Sequence, residues 1–194
     1  MTQQPSSPQP HPLAQGSGKS SAKTIWITAG ALALAIACIA GWKLRPVKLP
    51  PLNSDPIVLA KFVSSPDFER VNEQQKRPYR IALRAQTKEL AAALKTGELT
   101  REQYDEAYLN GWLARQMDHM GDFMRLPIAS RQQAWNDYYV KKLKQPAAKE
   151  PQPAHEVEKA FLQRVVSTWP QDEQEKWEDF RQATKAAKKT ASGN

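Results

Sequence analysis

The side chains in this sequence best suited to chemistry lie in "QMDHMGDFM", which holds Met117, His119, Met120 and Met124, with Asp118 and Asp122 between them. Spacings of three and four place the methionines on one face of a helix. Thioether sulfur together with imidazole is a donor set that suits Cu(I). An apolar core stripe needs the same spacing, because methionine fills irregular gaps between other side chains. Core packing is therefore the expectation, metal ligation by Met117, His119, Met120 and Met124 is the alternative, and no cofactor is expected.

Other chemistry finds little support. The remaining histidines, His11 and His155, fall in segments that read as tail and linker. There is no G-x-S-x-G nucleophile turn, no phosphate-binding glycine loop, no H-E-x-x-H pair and no dinucleotide glycine pattern. The carboxylates of "QDEQEKWED" have the spacing of a solvated helix face. The single cysteine, Cys38, excludes a disulfide scaffold and a cysteine-ligated metal site. Neither enzymatic activity nor a small-molecule substrate is expected.

The elements that carry these residues can be followed along the 194-residue chain. Residues 1–24 are rich in Pro, Ser and Gln without aromatics, the composition of a disordered polar tail. From Thr24 to Trp42 about nineteen uncharged residues run together, roughly 28 Å of helix at 1.5 Å per residue. The expectation is a transmembrane helix over 25–42, with Ile25, Leu34 and Cys38 in the span and Trp26 and Trp42 at its two interfaces. Its A-x-A triplets lie inside the apolar run, and a polar segment precedes it, so it reads as an uncleaved anchor and not as a removed signal. Cys38 reads as a small residue inside the span. The net charge of +8 is partly gathered around the span, where Lys19, Lys23, Lys43, Arg45 and Lys48 would meet lipid headgroups. Ala29, Ala33, Ala37 and Gly41 form a small-x-x-x-small ridge through which two copies could pair.

After the span, residues 43–55 form a proline-rich spacer, followed by an all-α domain over 56–144. Ser64-Ser65-Pro66-Asp67 starts a short helix expected to stop before Pro78, and a helix over Tyr79 to Thr96 ends at Gly97. Thr100 and Gln103 make a capping box that opens the longest helix, with Tyr104, Tyr108, Trp112 and Phe123 on its apolar side. A further helix starts at Pro127 or Ser130 and carries Trp135. Trp112 and Trp135 are both expected to bury against Tyr104, Tyr108 and Leu90. Residues 145–154 read as a linker, 155–185 as a helical pair that docks weakly or folds apart, and 186–194 as a basic disordered tail. No strand candidate of useful length is present.

The segment "LTREQ", Leu99 to Gln103, has the form LTxxQ and resembles the motif of helical periplasmic stress proteins that sense metals and bind unfolded clients. The likeness covers five residues, and the capping box accounts for the same Thr100 and Gln103. The chain thus reads as a single-pass, membrane-anchored, non-catalytic protein-interaction protein of an envelope assembly or stress response, with its helical domain on the exported side. Its protein partner is not specified by the sequence. The alternatives are a metal-responsive periplasmic protein using the Met/His cluster, and a cytoplasm-facing basic domain contacting nucleic acid through Lys185, Lys188 and Lys189.

Overall fold

The computed structural model describes residues 45–143 and 150–192, together with Ile27. The expected polar tail and the expected span, with Lys19, Lys23, Ile25, Trp26, Ala29, Ala33, Leu34, Ala37, Cys38, Gly41, Trp42 and Lys43, lie outside the described residues. Among those described, no helix is long and apolar enough to cross a membrane. Residues from Val47 onward form one compact unit.

The described residues of that unit are all helical, without strands: α1 (Pro56–Val63), α2 (Pro66–Glu69), α3 (Glu73–Arg84), α4 (Thr87–Thr96), α5 (Arg101–Arg125), α6 (Arg131–Leu143), α7 (His155–Val166) and α8 (Gln171–Ala191). Local chemistry explains most of the boundaries. Asp55 accepts a hydrogen bond from the Ile57 amide at 2.8 Å, and Pro56 occupies the first turn of α1. Gly97 adopts φ 78 and ends α4 as a Schellman turn, with the Glu98 amide donating to Ala93 O at 2.9 Å and its own amide to Leu94 O at 3.3 Å. The capping box at α5 is complete: Gln103 N donates to Thr100 Oγ1 at 3.2 Å, and Thr100 N donates to Gln103 Oε1 at 3.0 Å.

Four expectations are corrected here. Pro78 does not stop a helix but lies inside α3. Asn72 starts α3 by accepting from Gln75 N at 2.9 Å, so Pro78 falls early, in its second turn. There it removes a single bond, to the carbonyl of Gln74, whose residue is exposed. The long helix expected over Tyr79 to Thr96 breaks at Ala85-Gln86 into α3 and α4. The spacer ends earlier than expected: Val47 packs against the core, and Tyr79 Oη donates to Pro50 O at 2.7 Å. The basic tail expected from residue 186 is helical through Ala191, because Phe180, Ala183 and Ala187 extend the buried stripe of α8, and Ala187 is 0% exposed.

Two apolar clusters run along α5, whose 25 residues span roughly 37 Å. The first joins α1 to α4 with Tyr104 and Ala107 of α5, around Leu59, Leu83, Leu90 and Leu99. The second joins Leu109, Leu113, Met120 and Phe123 of α5 with Trp135 of α6, Phe161 of α7, and Trp177 and Phe180 of α8. The segment after Pro146 therefore does not fold apart, because Phe161, Trp169, Trp177, Phe180, Ala183 and Ala187 supply about half of the second core. Trp135 stacks on Tyr138 with ring centroids 4.9 Å apart and meets Phe180 edge-on at 5.3 Å. It is thus remote from the Leu90 cluster that the sequence pointed to. The segment leading into α7 is held by α5: Tyr104 Oη donates to Pro151 O at 2.6 Å, and Arg101 Nη2 donates to Gln152 O at 2.8 Å.

The crossing of α3 and α5 depends on Gly111. A Cβ at that position would stand 3.1 Å from backbone atoms of Leu83 and Arg84. Gly121 lies further along the same helix with nothing within 4 Å of such an atom. Alanine improves helix propensity by about 1 kcal/mol over glycine at an unhindered site. Gly121→Ala should therefore raise the urea midpoint, whereas Gly111→Ala should lower it, since α3 must shift as a backbone. A stabilising Gly111→Ala would show that the two helices are not held in this close crossing.

Candidate functional site

A groove of about 1150 Å³ opens between α7 and α8. The two helices meet at the Trp169-Pro170 corner, where Trp169 and Trp177 pack edge to face with centroids 5.7 Å apart. Away from that corner they diverge, because α8 packs mainly on α6 and α5 while α7 packs mainly on α5. Trp112 and Gln116 of α5 line the groove together with Leu162 and Val166 of α7. Trp112, Leu162, Val166 and Tyr139 are only partly buried against the second core. Their remaining surface faces the opening.

The rim is mainly cationic. Lys159 borders the groove on α7, and Arg181, Lys185 and Lys188 on α8, against the carboxylates Glu158 and Glu178. Glu178 is engaged by Arg181 at 3.3 Å and by Gln182 at 2.7 Å. Lys159, Lys185 and Lys188 are exposed and have no carboxylate partner among the described residues. The structure thus places Lys185 and Lys188 on a groove wall, one helical turn apart. Lys189 is exposed on the same helix but does not line the groove.

A second cleft, about 640 Å³, lies where α2, α3, α5 and α7 approach one another. Its polar side chains bind each other. Buried Arg80 donates to Glu73 Oε2 at 2.6 Å and to Asn110 Oδ1 at 3.0 Å. Asn110 Nδ2 donates to the Glu106 carbonyl at 2.9 Å, and Arg164 bridges Glu106 at 2.6 Å and Glu69 at 2.9 Å. Burial acts to raise the Glu73 carboxyl, but Arg80 and then Lys76 outweigh it and hold the group below its ordinary value. Glu106 goes the other way: burial raises it, and Arg164 offsets this only in part. The array is a clamp that ties α7 to the first core through α5.

The sign of the Glu73 effect can be tested. A carboxyl whose folded pKa is depressed adds stability that is present above its unfolded pKa and is lost as pH falls through the folded value. The ordinary value is 4.5, so the loss belongs below that pH. The difference in melting temperature between the native chain and Glu73→Gln should accordingly shrink as pH is lowered from about 5 to about 3. A difference that stays constant across that range would mean Arg80 does not hold the ionised form.

The methionines are distributed as a core stripe would be. Met120 is 6% exposed inside the second cluster, and Met117 and Met124 pack against its edge. The His119 ring lies elsewhere, 5.5 Å from the Tyr138 ring and within 3.2 Å of its hydroxyl. Arg131 reaches back over the end of α5, donating to Met124 O and Leu126 O at 3.1 Å each. The Met/His set is therefore divided between a core edge and an aromatic surface contact. Arg45 and Lys48, expected to contact headgroups, are exposed ahead of α1.

The groove itself is not legible in the sequence. Trp112 falls on the apolar face of α5 by period, and nothing local indicates that α7 and α8 leave it half covered. Comparison with protein-family models, with curated proteins and with solved structures finds no match for this chain.

Proposed function

We propose that the chain is a single-pass membrane protein that presents a non-catalytic, all-helical protein-binding domain on the exported side, in an envelope assembly or a stress response. The observation that carries this reading is the groove between α7 and α8. It is open to solvent, has an apolar floor and is bordered by cations, which suits docking of a polypeptide. The converging polar groups of the second cleft, by contrast, are committed to one another across the domain. The anchor rests on the uncharged run from Thr24 to Trp42, with cationic residues on both sides. Within it, Ala29, Ala33, Ala37 and Gly41 offer a ridge for pairing of two copies.

Alkaline carbonate extraction of membranes tests the anchor, and protease digestion at the carboxyl terminus in intact cells, in intact spheroplasts and in lysed spheroplasts tests the orientation. The expected result is a chain that remains in the membrane pellet and is cleaved only once the outer barrier is opened. Release of the full-length chain by carbonate would overturn the anchored reading. Protection of the carboxyl terminus in intact spheroplasts would place the domain in the cytoplasm.

A further inference from the structure

We infer that the groove between α7 and α8 receives an acidic amphipathic helix of a partner protein. This rests on the reading of the chain as a protein-binding module and specifies the chemistry of what it binds. Length is the first argument. The 12 residues of α7 give a wall of roughly 18 Å, enough for three to four turns of a bound helix. The floor is the second. Trp112, Leu162 and Val166 each rest one side on the second core and leave the other uncovered, so an apolar stripe laid along them would complete the packing that α7 and α8 leave open.

Charge decides the nature of the occupant. Lys159 stands on one wall, and Lys185 and Lys188 stand one turn apart on the other; all are exposed and lack a carboxylate partner among the described residues. A helix seated with its apolar stripe down would bring the residues flanking that stripe against both walls. Aspartate and glutamate there would pair with the lysines, whereas lysine and arginine would be repelled. A nucleic acid would use the lysines but needs exposed aromatic faces for its bases. Here Trp177 is 3% exposed, and the partly covered Trp112 and Tyr139 share the floor with aliphatic Leu162 and Val166, a surface that suits an apolar helix stripe better than a row of stacked bases.

The full-length chain in nanodiscs of zwitterionic lipid can be titrated calorimetrically with two synthetic 14-residue helices. The two share a leucine and phenylalanine stripe at i, i+3, i+4 and i+7, flanked by glutamate in one and by lysine in the other. The glutamate peptide should bind at least about tenfold more tightly than its twin. That preference should vanish in Lys185→Glu/Lys188→Glu, whose melting temperature should match the native chain because both side chains are exposed. Leu162→Asp should abolish binding of both peptides. Equal binding of the twins, or no effect of the double substitution, would overturn the inference. So would a dimer in sedimentation that Leu162→Asp disperses, since the occupant would then be a second copy. Displacement of the peptide by a single-stranded oligonucleotide or by anionic vesicles would assign the lysines to phosphate. Loss of peptide binding with carbonate resistance intact removes this occupant and leaves the anchored module standing, so the two readings fail separately.

Discussion

Removal of residues 147–194 is expected to abolish cooperative unfolding of the carboxyl-terminal half of α5 together with α6. The deletion takes away Phe161, Trp169, Trp177, Phe180 and Ala187 and exposes the faces of Leu113, Met120, Phe123 and Trp135 that they cover. A fully buried large apolar side chain contributes about 1.5 to 3 kcal/mol. The loss is then on the order of 10 kcal/mol, comparable with the whole stability of a domain. The first cluster, around Leu59, Leu83 and Leu90, keeps its own partners. Amide exchange of the chain ending at Pro146 should therefore retain protection near Tyr104 and Ala107 and lose it from Leu113 to Phe123. An unchanged, fully cooperative urea transition would show that the second core does not depend on α7 and α8.

The second large effect separates two tryptophans that the sequence treats alike. Trp135 is 3% exposed, surrounded by Phe123, Tyr138 and Phe180, with its indole Nε1 donating to Thr184 Oγ1 at 3.1 Å. Alanine there leaves a cavity too large to close and should cost roughly 3 to 5 kcal/mol. Trp112 is only partly buried, on the groove floor. Alanine at that position removes less covered surface and should cost less than half as much. Urea unfolding of the two variants side by side measures the order directly. A larger loss at Trp112 would mean that the groove is closed in solution.

The contrast shows which parts of this fold are legible in a sequence. Thr100 with Gln103, and Gly97 after Leu94, mark helix ends because the signal and the structure it produces lie within one turn of chain. The all-α class follows from the same kind of local evidence. Pro78 misleads because its effect depends on where the helix began, which Asn72 decides six residues earlier. The break at Ala85-Gln86 carries neither glycine nor proline, and no local feature announces it. The proline-rich composition of 145–154 reads as a boundary, yet Tyr104 and Arg101 grip Pro151 and Gln152 from some fifty residues away. The groove was beyond reach for the same reason. It is a gap between helices set by long-range packing, while periodicity reports only which face of each helix is apolar.

The way α5 serves both cores bears on how the chain is made. Its first partners, from Leu59 to Leu99, have already left the ribosome when Tyr104 emerges. The partners of its second half, from Phe161 to Ala187, have not. Phe123 precedes Phe180 by about sixty residues, and at about 5 to 20 residues per second that is a delay of roughly 3 to 12 s. Throughout that interval the first core can close, whereas Leu113, Met120 and Phe123 have only α6 to cover them. Nascent chains paused in this window would expose the same apolar stripe that the finished protein hides.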